Sequence, residues 1–451
     1  MDLDTAEPVV LAPDSWREHA LLVGSTGSGK TTVIGRLSAA HLARGHGQVI
    51  IDLKADPALA VGVGEAAAAC GRPFYHFTLG GPLAWNPLAR GDRTSRADKL
   101  IAVEDWSETF YKRAAQRYLQ WIFRVLDYRT VAAPPTLREV VALHDRDLLR
   151  ALLADRVQAL GGLAAGQDLI DDDTTVGDDP PHGTAADETR LEAVAEAQAV
   201  LADLDAYLSS LTAEQKSGIA GMASRLAVIT ESVAGPSLNP AGEGPRLDLL
   251  DAVEEGAAVV CSLDAQAYPE LAKQVGALLI QDLISIAPLR GGAPRLAHIV
   301  IDEFSALDGA AVVALFARGR SAGLGVTLST QELFDMRKVD PAFEAAVVAN
   351  TAIKIALHQA FPESAEAIAA MIGTRRTWKE TVQVETASAL WGWDRAAATG
   401  MGSLREVDEY VIHPNEIKRL PRGQAIVLTK QPCAVHRVAL LPPAAPPGRV
   451  A

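Results

Sequence analysis

The segment Gly24-Ser25-Thr26-Gly27-Ser28-Gly29-Lys30-Thr31 constrains this chain more than any other. It fits GxxxxGK[ST] and follows an apolar run, His19-Ala20-Leu21-Leu22-Val23, that reads as a strand. A helix is expected from about Lys30. In that context glycines let backbone N–H groups curl around phosphate oxygens, and the helix N-terminus adds its positive end. Lys30 can reach the β- and γ-phosphates, and the Thr31 hydroxyl can bind Mg²⁺. The candidate nucleotide contacts are therefore Gly24, Gly27, Ser28, Gly29, Lys30, Thr31 and Thr32. The alternative, an ordinary glycine-rich turn, does not require all the fixed positions.

Further strands are expected at Gln48–Asp52, Ala257–Cys261, Leu296–Ile301, Gly325–Ser329 and Thr351–Ala356. Several are continuous apolar runs of the kind buried on both faces of a parallel sheet. Helical patterns lie between them, which predicts an open α/β sheet. Asp302-Glu303 ends one of these strands. Asp302 is the expected Mg²⁺ carboxylate, and Glu303 the group that polarises the attacking water. Gln331 closes the next apolar strand and is expected to sense the γ-phosphate.

The middle of the chain differs. From about 93 to 240 the pattern is helical, with an aromatic-rich stripe (Trp106, Phe110, Tyr118, Trp121, Phe123) that reads as core. Thr212 and Gln215 sit at capping-box spacing before another helix. The expected organisation is a motor domain, 1–92 and 241–451, interrupted by an all-α domain at 93–240. Within that insertion, 168–188 carries eight acids, Pro180-Pro181 and no Lys or Arg, and reads as a mobile acidic loop. It accounts for eight of the chain's net −14 charges, so the acidity does not exclude a local basic channel.

At this point the chain resembles FtsK/HerA-type motor ATPases, and among them the coupling proteins of conjugative type IV secretion, the TraG/TraD group. Six segments beyond the phosphate loop carry the resemblance: Ile51-Asp52-Leu53-Lys54, Trp85-Asn86-Pro87-Leu88, Asp302-Glu303-Phe304, the stretch from Gly319-Arg320 to Thr330-Gln331, and the closing segments Asn350–Ile355 and Pro414–Ala425. The resemblance implies a RecA-like P-loop fold, a homo-hexameric ring, ATP and Mg²⁺, and DNA driven through a central channel. It implies that Arg320 serves as an arginine finger on a neighbour's nucleotide, with Lys30, Glu303 and Gln331 completing catalysis. It also implies a relaxase–DNA complex handed to a membrane-anchored secretion component. Members usually carry N-terminal transmembrane helices. Here the phosphate loop begins at Gly24, so a cytoplasmic chain recruited by a membrane partner is expected.

Arginine with indole suits single-strand contact, which makes Arg375, Arg376, Trp378 and Lys379, with Trp391, Trp393 and Arg395 nearby, the candidate DNA contacts. The competing reading is a surface hairpin, since Thr381–Thr386 alternates. Arg113, Arg117 and Arg124 recur along one side of a helix of the insertion, flanked by Lys112, as a second candidate DNA surface, with a solvated or interface face as the competing reading. Cys70, Cys261 and Cys433 show no metal spacing and read as reduced, mostly buried thiols. His298 reads as packing. Three other functions fit the same motifs: a protein-substrate secretion ATPase, a soluble HerA-like DNA-processing motor, and an adaptor that uses nucleotide only to set its oligomeric state.

Overall fold

A computed structural model describes residues 1–440 except 105, 107, 131–132, 165–184, 241, 292–293, 305–306, 308, 341 and 388–394. The chain begins β1 (Ala20–Val23), α1 (Lys30–Ala43), β2 (Gly47–Asp52), α2 (Pro57–Ala69), β3 (Phe74–Thr78) and β4 (Ala84–Trp85). Helices follow: α3 (Arg93–Ala102), α4 (Thr109–Leu126), α5 (Leu137–Ala142), α6 (Arg146–Ala164), α7 (Ala185–Ser210), α8 (Ala213–Glu231) and α9 (Gly235–Leu238). Then come β5 (Arg246–Leu247), α10 (Leu249–Glu255), β6 (Ala258–Ser262), α11 (Pro269–Ile286), β7 (Ala297–Asp302), α12 (Gly309–Gly319) and β8 (Leu324–Thr330). The last part is α13 (Leu333–Val339), α14 (Phe343–Asn350), β9 (Ile353–Ala356), α15 (Pro362–Ile372), β10 (Thr374–Ala387), β11 (Arg395–Tyr410), α16 (Pro414–Ile417), β12 (Gln424–Lys430) and β13 (Cys433–Ala439). The chain is thus α/β with mostly parallel strand pairing, as its patterning predicts.

Two compact units emerge. The first holds the described residues of Met1–Ala39, Glu303–Ser305 and Gly325–Ala451. Its strands run in the order β13-β12-β9-β1-β8. β1 is parallel to both β8 and β9, whereas β12 is antiparallel to β9 and β13. β1 and β8 are buried along their whole length, which explains why neither shows a polar, solvent-facing alternation. β10 and β11 form a separate antiparallel ribbon.

The second unit holds the described residues of Ala40–Asp302 and Ala306–Leu324. Its strands are all parallel, in the order β7-β2-β6-β3. Sequence patterning missed β3, a half-exposed edge strand without a continuous apolar run. Between β4 and β5 the described residues form helices only. The two short strands pair in parallel, Trp85 opposite Leu247, so the helical excursion leaves and returns at one place. The Thr212–Gln215 capping box forms, with Thr212 N donating to Gln215 Oε1 at 3.0 Å. The expected acidic loop lies largely outside the described residues, and 185–188 belongs to α7. The aromatic stripe is core at Tyr118 and Phe123, but Phe110 is exposed. Of the three free cysteines only Cys261 is buried, while Cys70 is half-buried and Cys433 exposed, contrary to the expectation of mostly buried thiols.

The helical excursion is tied down by a buried charge pair. Asp282, inside the apolar helix α11, accepts from Lys99 Nζ at 2.6 Å and from Trp85 Nε1 at 3.0 Å. Lys99 Nζ also donates to Pro87 O at 2.6 Å. Asn86 Nδ2 reaches Pro135 O at 3.0 Å. The Trp-Asn-Pro-Leu segment therefore acts here as an anchor. Removing one partner of such a pair strands a buried charge. Asp282→Ala is expected to cost about 3–5 kcal/mol, read as a lower urea midpoint, and Lys99→Met on top should recover part of it.

His298 is fully buried and stacks on His41 with ring centroids 4.1 Å apart. His41 Nδ1 lies 3.0 Å from His46 Nδ1, and Gln48 Nε2 lies 3.2 Å from His298 Nδ1. Burial first, then the neighbouring histidines, pull His41 down to about 3 and His298 well below its usual value. The unfolded chain takes up these protons below about pH 6.5, and the folded chain does not. Stability is therefore full above that pH and falls as pH drops toward 3, by up to about 1.4 kcal/mol per unit and per histidine. The urea midpoint should be lower at acidic than at neutral pH, and His298→Gln should flatten that dependence.

Candidate nucleotide site

The loop between β1 and α1 is pinned at its base. Gly24 N donates to Thr330 O at 3.2 Å, and Ser25 N donates to His358 O at 3.0 Å. Ser25 Oγ donates to Glu332 Oε1 at 3.1 Å and accepts from Ala360 N at 2.8 Å. A Cβ on Gly24 would meet Ser28 Oγ at 2.5 Å and Leu357 at 2.8 Å, so only glycine fits there. Gly27 and Gly29 take φ of +75° and +109°, the left-handed region that curls the loop. Thr31 and Thr32 stand in the first turn of the 14-residue α1. Lys30 is buried, and its Nζ donates to Gly24 O. Ser28 Oγ is buried without a hydrogen-bond partner among the described residues. A buried hydroxyl without a partner is costly. It fits a ligand oxygen in the cradle.

The acid side of the same unit is Glu303. Its φ is +59°, a conformation that costs a non-glycine residue about 1–2 kcal/mol. Gln331, the first residue beyond β8, donates from Nε2 to Glu303 Oε1 at 2.9 Å. Gln331 Oε1 in turn accepts from Thr26 Oγ1 at 2.7 Å. One amide therefore connects the crest of the phosphate loop with the carboxylate.

Asp302 belongs to the second unit. It ends β7 in register with Asp52 at the end of β2, and both are buried. Asp52 accepts from Lys54 N at 2.9 Å and from Asp56 N at 2.7 Å. Burial, with the charge of Asp302 among the smaller causes, pushes Asp52 up to about 6. Both Asp52 oxygens are thus occupied by backbone N–H groups, which leaves Asp302 as the hard oxygen donor of this strand-end pair, the kind a magnesium ion takes. Arg320 also lies in this unit, exposed, one residue beyond the end of α12 and not on the helix itself. Its carbonyl accepts from Gly323 N at 3.3 Å in the turn that feeds β8.

Sequence reasoning gave no role to Arg422. The turn Pro421–Gln424 is closed by Gln424 N donating to Pro421 O at 3.2 Å, with Gly423 at φ +83°. That is a type II turn, which demands glycine at its third position. It presents Arg422 at the phosphate loop, where a Cβ on Gly27 would lie 3.4 Å from Arg422 Nη2. Arg422 makes no ion pair among the described residues. A Pro-x-Gly turn leading into a strand was the available signal. Because β12 runs antiparallel to β9, that turn falls at the carboxyl end of β1, beside the loop.

The candidate DNA contacts lie on β10. Arg376 pairs with Glu406 at 3.7 Å, and Lys379 with Glu409 at 2.5 Å. Trp378 is 66% exposed and stands opposite Glu406. The alternating-strand reading of this stretch holds, and two of its three cations are balanced by the partner strand. Trp391 and Trp393 lie outside the described residues.

Residues 6–56 match the family described as "Type IV secretion-system coupling protein DNA-binding domain". Residues 297–422 match "TraM recognition site of TraD and TraG". A 71-residue stretch is 41% identical to the type 4 coupling protein DotL of Legionella pneumophila, covering 16% of this chain and 9% of that relative's length. Among solved structures, the bacterial conjugative coupling protein TrwB superposes with TM-score 0.64 at 17% identity, over 97% of this chain and 90% of that one. TrwB in complex with ADP and Mg²⁺ gives 0.57 at 18% identity, over 97% and 90%. VirB4 of Thermoanaerobacter pseudethanolicus gives 0.55 at 14% identity, over 99% and 95%. At such identities structural likeness speaks to fold. In sequence around its phosphate loop and across its second acidic motif, and in fold along nearly its whole length, this chain is type IV coupling protein-like.

Proposed function

We propose that the chain is an ATP-hydrolysing motor that moves DNA, or a relaxase–DNA complex, toward a secretion channel. The observation that carries this reading is the hydrogen-bonded chain Thr26–Gln331–Glu303. It joins the loop that would hold ATP to the carboxylate that would activate water. Gly24, Gly27, Ser28, Gly29, Lys30, Thr31 and Thr32 would hold the phosphates. TrwB has been solved with a non-hydrolysable ATP analogue and with ADP and Mg²⁺, which supports the same ligands here. Thr31 and Asp302 would hold Mg²⁺, which neutralises phosphate charge when bound.

The chain's own residues supply the rest. Lys30 would leave the Gly24 carbonyl for the phosphates. Glu303 would accept a proton from the attacking water, with Gln331 holding its carboxylate in place. Loss of the γ-phosphate would then be felt at Thr26 and passed through Gln331 to β8. Arg422 would add positive charge in cis at the loop crest, and Arg320 would act in trans within a homo-hexamer. The motor would comprise 1–92 and 241–451, with 93–240 as the inserted helical domain. Among the described residues no helix is long and apolar enough to cross a membrane. Recruitment from the cytoplasm by a membrane-anchored partner would place the motor at its channel. DNA would meet Arg375, Arg376, Trp378 and Lys379 once their strand partners yield.

Turnover measured with single-stranded, double-stranded and no DNA tests the reading. DNA should accelerate hydrolysis; hydrolysis that ignores DNA would favour a protein-substrate secretion ATPase. Lys30→Ala and Glu303→Gln should each lower turnover about a hundredfold or more, and intact turnover in both would overturn the reading. Arg320→Ala should cost about a thousandfold and be rescued in part by mixing with Glu303→Gln subunits, since each variant then lends the other its missing side chain.

Arg422→Ala is expected to weaken binding of a fluorescent ATP analogue about tenfold, the worth of one charge-assisted hydrogen bond. ADP should be affected less. Arg422→Lys should recover only part of the loss.

A further inference from the structure

Three arginines of the second unit line a single cavity of about 500 Å³. Arg93 opens α3. Arg117 and Arg124 lie on α4 with Trp121 between them, at spacings that share one helix face. Thr94 and Gln120 complete the lining. Arg113 and Lys112, which the sequence groups with them, do not line the cavity.

None of the three guanidiniums makes an ion pair among the described residues. Two carboxylates of α7, the helix that carries Tyr207, bond to other groups. Glu196 accepts from Tyr128 Oη at 3.2 Å, and Asp205 is held by Arg150 at 2.7 Å and 3.1 Å. Two of the arginines rest instead on aromatic faces. Arg117 lies 4.5 Å from the centroid of Tyr207, and Arg124 lies 4.9 Å from that of Trp121. The two rings stack on each other, 5.6 Å apart and 17° from parallel.

This arrangement has a chemical consequence. Stacking on a ring fixes the plane of a guanidinium without consuming its N–H donors. The donor edges stay available for an oxyanion, already oriented. A single carboxylate engages one such fork. A phosphate has enough oxygens to engage several. A cavity of this size suits a nucleotide-scale ligand.

We propose that this cavity is a second anion site, for a phosphate group carried either by a free nucleotide or by a nucleic-acid strand. It is separate from the phosphate loop and does not depend on that loop's assignment. If a strand is the source, the site adds a grip on the helical insertion to the DNA reading above.

The test uses the full chain carrying Lys30→Ala, so that the first site contributes little. Binding of a short fluorescein-labelled oligothymidylate is followed by anisotropy, and tripolyphosphate, ATP and hexaglutamate serve as competitors. Arg117→Gln with Arg124→Gln should weaken binding at least about tenfold. Circular dichroism and basal ATP turnover of the otherwise native chain should be unchanged. A strand as ligand predicts that the double variant loses roughly 0.7 of log–log salt slope per arginine. A free nucleotide as ligand predicts that ATP binds directly, measured by calorimetry, and that the oligonucleotide does not. The proposal falls if neither probe binds the Lys30→Ala chain, if the double variant binds as tightly, or if hexaglutamate displaces the strand as well as tripolyphosphate does. Retained strand binding in the Lys30→Ala chain, with turnover lost, would leave this site standing on its own.

Discussion

The side-chain amide of Gln331 is the contact on which the first unit's chemistry depends. An amide has a donor end and an acceptor end. Here the donor end holds Glu303, and the acceptor end takes the Thr26 hydroxyl. Because the amide does not titrate, both bonds are available to it whatever the pH. The backbone fixes this placement. Val23 and Thr330 are partners in the β1–β8 register, and Gly24 N donates to Thr330 O. The first residue of the phosphate loop and the residue before Gln331 are thus held at one level of the sheet. Glu303 sits in a left-handed conformation at the far end of the chain of bonds. Backbone strain of that kind persists only where surroundings over-determine it, and the Gln331 bond is part of what does so.

The second unit solves a different problem. A long helical excursion must leave a parallel sheet without unravelling it. The β4–β5 pair closes the excursion at its mouth, and Arg90 braces the returning strand through Asp248 and Asp251, each at 2.8 Å. Lys99–Asp282 then anchors α3 to α11 from within an otherwise apolar helix face. Buried ion pairs are weak evidence for stability. This one has better standing as a device of specificity. One Asp282 oxygen meets Lys99 and the other Trp85, so a mispacked insertion would leave a buried carboxylate without its charged partner.

What could be read from the sequence follows from the range of each signal. Gly24–Thr31 and Asp302-Glu303 were legible because strand, turn and functional group lie within a few residues of one another. The apolar stretches of β1, β2, β7 and β8 were legible because both faces of each strand are buried. Edge elements were not: β3 is half-exposed, so its aromatics carry no period. Proximity across the chain was the larger blind spot. Nothing local tells that Arg422 meets Gly27, that His41 stacks on His298, or that Tyr207 lies beneath Arg117. The sequence reading grouped Arg113 with Arg117 and Arg124 by helical period alone. The structure separates them, because only Arg117 and Arg124 meet aromatic rings.

An excess of acid makes the free cations informative. With Asp+Glu at 56 against Lys+Arg at 42, carboxylates are the commoner surface charge. On β10 this shows directly, where Arg376 and Lys379 find glutamates on the next strand. A flexible arginine in such surroundings readily meets a carboxylate, so exposure alone says little about one that does not. Arg117, Arg124 and Arg422 differ in being held. Aromatic faces fix the first two, and a glycine-dependent turn presents the third. Neither a cation–π contact at the surface nor a surface turn residue contributes much to stability. Positive charge placed at such points is better explained by an anion that comes and goes than by the folded chain's own requirements.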